Sequence, residues 1–503
     1  MNQTLTVSPD KGKLSFAGDV LKLVSGTTIA QVLSIVSAPL LARLYSPEAF
    51  GISTLFFSIV GIISVVSCLR YEMAIMLPNT DEEAVNILAL SLSISVLVGL
   101  ISVPVVLIGG PYFLSLINAT ELTPYIWLVP LTLFWGGLSV GHPALNYWNS
   151  RTRHYGRLSI IQIVNVLGTL GFQVAAGFLG YNQGSSLILG MIFGSIVSTT
   201  ILGYLIWKDD RHIITKSLNV RSMLAGLKRY NKFPRYDLFA VILNTASWQL
   251  PSYLLSAFFS ATSVGYYSMG NRVLRLPMNF IGSSIAQVFF QRAAAAKQSG
   301  SLAVLVENVY RILVKIGMFP MLLLSIIGSD LFVVVFGKEW MEAGIYTQIL
   351  AVWMFFWFIS SPLSTLFRVL ELQEFSLGIN IAIFVTRLIA LLIGGWLGNA
   401  RLALALFAIS GVVMYGYLSL STLLAAGVSK KKVAKILLQY ISIFIPAALL
   451  LLLLKSTFSS PLLIVVVSVV LVLVYGVYVI RSEEWLYPFL HSGFAKFLTG
   501  SKG

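Results

Sequence analysis

Apolar runs separated by short polar or basic segments recur along the whole chain, at about 20–42, 51–69, 84–108, 124–147, 158–179, 185–207, 236–259, 265–290, 303–328, 345–367, 376–398, 402–426, 433–454 and 461–480. Each is near the roughly 20 residues that carry a helix across hydrocarbon. None alternates apolar and polar residues over about ten positions, as a membrane barrel strand would. The pattern predicts an all-α polytopic membrane protein with about fourteen transmembrane helices. Local punctuation agrees. Ser46-Pro47-Glu48 opens a helix with a cap residue, a proline in the first turn and an acid at the positive end of the dipole. Thr80-Asp81-Glu82-Glu83 has the spacing of a capping box.

The runs also repeat. Ser260-Ala261-Thr262-Ser263-Val264-Gly265 lies in register with Ser46-Pro47-Glu48-Ala49-Phe50-Gly51, serine on serine and glycine on glycine. Gly177-Phe178-Leu179-Gly180 closes the fifth run, and Gly395-Trp396-Leu397-Gly398 closes the eleventh. The expected organisation is a six-helix bundle over 1–210, a basic linker over 211–235, a second six-helix bundle over 236–428, and two further helices with a tail over 429–503. An even number of spans per half makes both copies enter from the same side, so the repeat is parallel, with its axis along the membrane normal. Val220, Met223, Leu224 and Leu227 in the linker have the spacing of a surface-lying amphipathic helix. The Leu/Val/Ile-rich last two runs read as lipid-facing.

Composition adds the class and charge adds the topology. With 57% hydrophobic and 11% charged residues, the chain lacks the polar surface to coat a soluble globule. No short apolar stretch ending at a small-residue cleavage site precedes the first run, so no signal peptide is expected. The single cysteine, Cys68, excludes an internal disulfide, and no Cys/His spacing reads as a zinc site. If the N-terminus is cytoplasmic, 25 of the 34 lysines and arginines fall on the cytoplasmic side, four outside and five within spans. That asymmetry predicts both termini inside. The net charge of +15 is thus mostly topological, and a nucleic-acid partner is not expected.

No phosphate-binding loop, nucleophilic triad or large extramembrane domain stands out, which disfavours an enzyme or an ATP-driven pump. No cofactor is expected. The five cations within spans, Arg272, Arg275, Arg311, Lys315 and Arg387, point instead to an anionic cargo, because each costs about 2.5–3.5 kcal/mol on insertion scales unless water or a partner meets it. Arg272 and Arg275, like Arg311 and Lys315, share a helix face. For the second pair the alternatives remain open: Glu307 lies one turn before Arg311, and both cations can snorkel to headgroups. Gln31, Asn165, Gln173, Asn244, Gln249 and Asn380 read mainly as interhelical glue, and His142 as a hydrogen-bonded core histidine. Asp237 is expected to pair with Arg235. The pairs Gly137/Gly141, Gly190/Gly194 and Gly394/Gly398 suit close helix contact. Tyr147, Trp148, Trp340 and Trp485 fit interfacial anchoring.

Leu44-Tyr45-Ser46-Pro47-Glu48-Ala49-Phe50-Gly51, then Arg70-Tyr71-Glu72-Met73-Ala74-Ile75, and later Gly265-Tyr266-Tyr267 with Asn271-Arg272-Val273 resemble the polysaccharide-biosynthesis flippases of the multidrug/oligosaccharidyl-lipid/polysaccharide exporter superfamily. The resemblance implies a bacterial inner-membrane protein. It would move an undecaprenyl-pyrophosphate-linked oligosaccharide, such as an O-antigen or capsule repeat unit, from the inner to the outer leaflet by alternating access. It further implies a cationic cavity that holds the pyrophosphate and sugars, membrane lipids and other polysaccharide-assembly proteins as partners, and a prenyl tail bordered by the last two spans. The rival within the superfamily, a cation-coupled drug antiporter, usually needs embedded carboxylates, and here the embedded charge has the opposite sign. A membrane glycosyltransferase or polymerase would want a long external catalytic loop.

Overall fold

Helix starts follow the local chemistry. Ser46 accepts the amide of Ala49 through its side chain and Thr80 accepts that of Glu83, so both predicted caps form. The computed structural model describes residues 10–135 and 142–482, with side chains from Gly26 onward except at Ala240, Ser283, Ser284, Gln287, Val288, Gln291 and Gln373. Gly137, Gly141, Trp485 and the tail lysines Lys496 and Lys502 therefore lie outside the described residues.

Eighteen α-helices follow in order among the described residues: α1 Asp10–Leu44, α2 Pro47–Val66, α3 Asp81–Leu116, α4 Leu128–Phe134, α5 Pro143–Arg151, α6 Tyr155–Phe178, α7 Gly184–Ser217, α8 Val220–Arg229, α9 Leu238–Phe258, α10 Ala261–Leu274, α11 Ser283–Gln298, α12 Leu302–Val335, α13 Met341–Leu363, α14 Leu366–Val369, α15 Gln373–Trp396, α16 Ala400–Ala425, α17 Lys430–Thr457 and α18 Pro461–Arg481. Among the described residues, eleven helical stretches are long and apolar enough to cross a membrane. The other three predicted runs are not among them, and the first of these includes residues 136–141, which lie outside the described residues. Over 124–147 the described chain forms only the short α4 and α5. Over 236–259, α9 is long enough but carries Asn244, Ser247, Gln249 and Pro251. Over 265–290 α10 ends at Leu274 with a turn at Arg275, two residues before Pro277, which has no amide hydrogen to continue the ladder, and the helix resumes through a π-helical turn at Met278–Gly282.

Contacts divide the chain into two units, one through Ser268 and one from Met269. In the first, α6 packs along α7 and α1, and α2 against α7 and α9. Gly190 and Gly194 allow the α6–α7 approach: a Cβ on Gly194 would lie 2.2 Å from Thr169 Oγ1 and 2.6 Å from the Asn165 carbonyl oxygen. His142 is a core residue, as expected. Its Nδ1 accepts the Ala144 amide as an N-cap, which leaves Nε2 as the protonated nitrogen facing Ser95 Oγ at 2.9 Å. Asn165 donates to Ser198, Gln173 donates to the Leu187 carbonyl, and Gln249 accepts from Ser58, so these polar residues join helices. Trp148 is 1% exposed and donates to Asp210, and in the second unit Trp340 is wholly buried. Both are core residues rather than interfacial anchors.

In the second unit α12 packs on α13, and α13 and α15 on α16. The last two helices lie on α12 through Phe319, which stacks on Tyr475 at 4.2 Å and meets Phe444 edge-on at 5.4 Å. Away from α12, Leu438, Leu453, Leu473 and Val474 are each more than 60% exposed. That is the lipid-facing surface expected of an intramembrane helix pair. Gly394 permits the α15–α16 approach beside Ala403, whereas Gly398 has open space around it and serves as a helix stop.

The repeat is visible in backbone geometry. α6 and α15 end on the same device: Gly180 and Gly398 both have positive φ, at 88° and 66°. The amides of Gly180 and Tyr181 return to the carbonyls of Gly177 and Ala176, and those of Gly398 and Asn399 return to Gly395 and Gly394. This is the Schellman arrangement twice over. The repeated Ser46–Gly51 and Ser260–Gly265 segments also pack on each other within the first unit. A Cβ on Gly51 would lie 1.7 Å from the Ala261 carbonyl oxygen, and one on Gly265 1.8 Å from that of Pro47. In the repeat register Ala261 corresponds to Pro47 and Gly265 to Gly51, so each segment makes to the other the contact it receives. Such reciprocity is the mark of a local two-fold relation.

Candidate functional site

The predicted site residues all lie in the second unit, and the structure sorts them into two groups. Arg272 sits in the last turn of α10 and Arg275 at the turn that follows it, two residues before Pro277. Gly270 brings this end close to α13, where a Cβ would stand 2.8 Å from Thr347 Oγ1. Both arginines are half-buried, and the Arg275 guanidinium lies 5.9 Å from the ring centroid of Trp357 on α13.

Arg387, from the middle of α15, is 2% exposed. Its guanidinium lies 5.2 Å from Trp353, 5.4 Å from Phe407 and 5.4 Å from Tyr415, and it donates to the Tyr415 hydroxyl at 2.9 Å. Such aromatic faces stabilise a cation electrostatically, more so away from water. Trp353 and Trp357 are four residues apart on α13 and so share one helix face. Arg387 and Arg275 are thereby drawn toward the same face of α13.

Arg311 and Lys315 belong elsewhere, along α12. Arg311 pairs with Glu307 at 3.0 Å, and Glu307 also receives Lys432 of α17 at 2.7 Å. Lys315 is 4% exposed, its Nζ lies 5.7 Å from the Tyr478 ring, and its carbonyl accepts the Tyr475 hydroxyl. The structure thus ties this pair to the packing of α17 and α18 on α12 and does not join it to the α10–α13–α15 group.

A further charged cluster occupies the first unit, and sequence spacing did not assemble it. Arg70 donates to Asp237 at 2.7 Å and to Glu72 at 3.1 Å, so Asp237 pairs across 167 residues rather than with Arg235. This ties the turn after α2 to the start of α9. Leu69 and Arg70 both adopt left-handed backbone, at φ 47° and 68°, a conformation that costs non-glycine residues about 1–3 kcal/mol each. Burial pushes the Glu72 carboxyl above its ordinary range, while Arg70 pulls it back. The accessible signal was Arg70-Tyr71-Glu72 itself, two opposite charges ending an apolar run; the partner Asp237 had none.

Helices long and apolar enough to span a bilayer, repeated local segments, and an arginine set among aromatic rings in one of those helices define a polytopic membrane protein. The chain belongs to the Polysaccharide biosynthesis protein family, whose model matches residues 40–345, more than half of its length. No curated protein shows significant sequence similarity to it. Among solved structures it is similar to the lipid II flippase MurJ in an inward closed conformation, with 14% identity, a TM-score of 0.66, and coverage of 92% of this chain and 99% of that one. It is also similar to an inward-facing multidrug resistance MATE family transporter of the MOP superfamily, with 15% identity, a TM-score of 0.62, and coverage of 81% and 98%. At these identities the likeness establishes a common fold.

Proposed function

We propose that the protein is a flippase that moves undecaprenyl-pyrophosphate-linked oligosaccharide repeat units from the inner to the outer leaflet of the bacterial inner membrane, with both termini cytoplasmic. The six-plus-six repeat supplies two halves that rock against each other in alternating access. The observation that carries the reading is the gathering of Arg275 and Arg387 toward one face of α13, with Arg272 one turn from Arg275. Guanidinium forks match pyrophosphate oxygens and gain strength where water is excluded. In this reading Arg272 and Arg275, half-buried at the helix break, bond the pyrophosphate. Arg387, enclosed by Trp353, Phe407 and Tyr415, supplies fixed positive potential behind them. The family assignment supports a substrate from polysaccharide assembly, and the MurJ-like fold supports a lipid-linked one.

The test is translocation in reconstituted vesicles, with a lipid-linked oligosaccharide as substrate and a non-permeant lectin reporting the outer leaflet. Protein-dependent movement that disappears in Arg272→Ala/Arg275→Ala and persists in Arg311→Ala is expected. Movement retained in the double variant removes these arginines from the site. No movement with any pyrophosphate-linked glycan, together with efflux of cationic dyes, overturns the flippase reading in favour of an antiporter.

A further inference from the structure

Where α12, α13, α16 and α17 meet in the second unit they leave a cavity of about 270 Å³. For scale, an apolar cavity of about 150 Å³ accommodates a benzene ring. Its walls are hydrocarbon: Phe356 and Ile359 from α13, Leu420 from α16, and Val433 and Leu437 from α17. Gly416 also lines it, and a Cβ there would make only ordinary contact with the Phe356 ring, at 3.7 Å. Three lining residues carry polar groups, Tyr310 of α12, Ser419 and Lys430. Ser419 is 4% exposed, lines the cavity, and its hydroxyl is buried without a hydrogen-bond partner among the described residues. Lys430 lines it from the first turn of α17.

That turn is electrostatically unusual. Lys430, Lys431 and Lys432 occupy the positive end of the helix dipole, with no acid in the first turn to offset them, and Lys435 follows one turn on. Cations are disfavoured there and anions favoured. Glu307 neutralises Lys432; Lys430 and Lys431 remain on the exposed surface. Four lysines at the end of a membrane-spanning helix are the pattern that attracts anionic lipid.

We infer that this cavity is a binding site for an anionic phospholipid of the surrounding bilayer. An acyl chain fills the apolar chamber, Ser419 donates to the ester region, and Lys430 and Lys431 hold the phosphodiester. Neither Arg272 nor Arg275 lines the site, and the inference does not depend on what the protein transports.

The test uses the full-length protein, delipidated in detergent, with phosphatidylglycerol and phosphatidylcholine of identical chains as probes. Retained lipid is read by native mass spectrometry and unfolding by melting temperature. Phosphatidylglycerol should be retained in preference by roughly tenfold or more, given two lysines near the headgroup, and should raise the melting temperature. Lys430→Gln/Lys431→Gln should abolish the preference, and Gly416→Leu should abolish retention by filling the chamber. Because the leucine can disturb packing, Ser419→Ala, which removes the hydroxyl without adding bulk, provides a second variant and should weaken retention without lowering the lipid-free melting temperature. Equal retention of the two phospholipids, or a preference that survives the lysine changes, overturns the inference. Stoichiometric displacement of phosphatidylglycerol by an undecaprenyl carrier assigns the chamber to the cargo's tail and also overturns it.

Discussion

Gly51→Ala tests the crossing of the two repeated segments most directly. The added carbon would sit 1.7 Å from the Ala261 carbonyl oxygen, where contacts under 3.0 Å are essentially never seen. Separation by at least the 1.3 Å between those values is required. The obstacle is backbone inside a helix, so it cannot rotate aside as a side chain would. Overpacking of this kind costs about 1–3 kcal/mol. Gly265→Ala meets the Pro47 carbonyl in the same way, at 1.8 Å. One separation of α2 from α10 relieves both clashes, so the double variant should lose less than the two singles added together, with a coupling of about 0.5–3 kcal/mol. The assay is denaturant unfolding in detergent followed by tryptophan fluorescence. Gly109→Ala, where a Cβ meets nothing within 4 Å, should match the wild type or gain slightly. Wild-type stability in both singles, or full additivity in the double, would refute the reciprocal crossing.

Other expectations concern the charged groups. Arg387→Met replaces a buried cation by an apolar chain of related length and should stay within about 1.5 kcal/mol of wild type, whereas Arg387→Ala should lose about 2–5 kcal/mol to the emptied aromatic cage; a larger loss for the methionine variant than for alanine contradicts the cage. Glu72, held above its ordinary range by burial, binds more protons folded than unfolded, so its contribution is fully present below the unfolded value of about 4.3. It is lost as pH rises through the folded value. Glu72→Gln should flatten the dependence of melting temperature on pH, in a setting where Arg70, Asp237, Tyr147 and Cys68 are the charged or titratable neighbours; an unchanged slope removes Glu72 as its source. Glu307→Gln releases Arg311 and Lys432, both largely exposed, and should cost only about 0.2–1 kcal/mol per pair, less at high salt. Vesicle translocation should be unchanged by it.

The sequence by itself determined the helices and most of their ends. In hydrocarbon every backbone polar group must be satisfied within its own segment, so a long apolar run has little choice but helix, and caps such as Ser46 and stops such as Gly180 act over a few residues. The repeat was legible for the same reason: Gly51 and Gly265, or Gly177–Gly180 and Gly395–Gly398, mark local backbone demands written twice. The interruption near Pro277 was present as a proline and two arginines inside a run, but run length alone read it as one span. The partners of the charged and aromatic residues were decided by tertiary structure. Periodicity places Arg311 beside Glu307, four positions away on one helix. It carries no information that Arg70 reaches Asp237, that Trp148 turns inward to Asp210, or that Trp353, Phe407 and Tyr415 converge on Arg387. Those pairings depend on which helix faces meet, set by long-range packing through small residues such as Gly194 and Gly270, and that packing turns embedded cations of equal standing in the sequence into an aromatic-lined group near α13 and a separate pair serving α17 and α18.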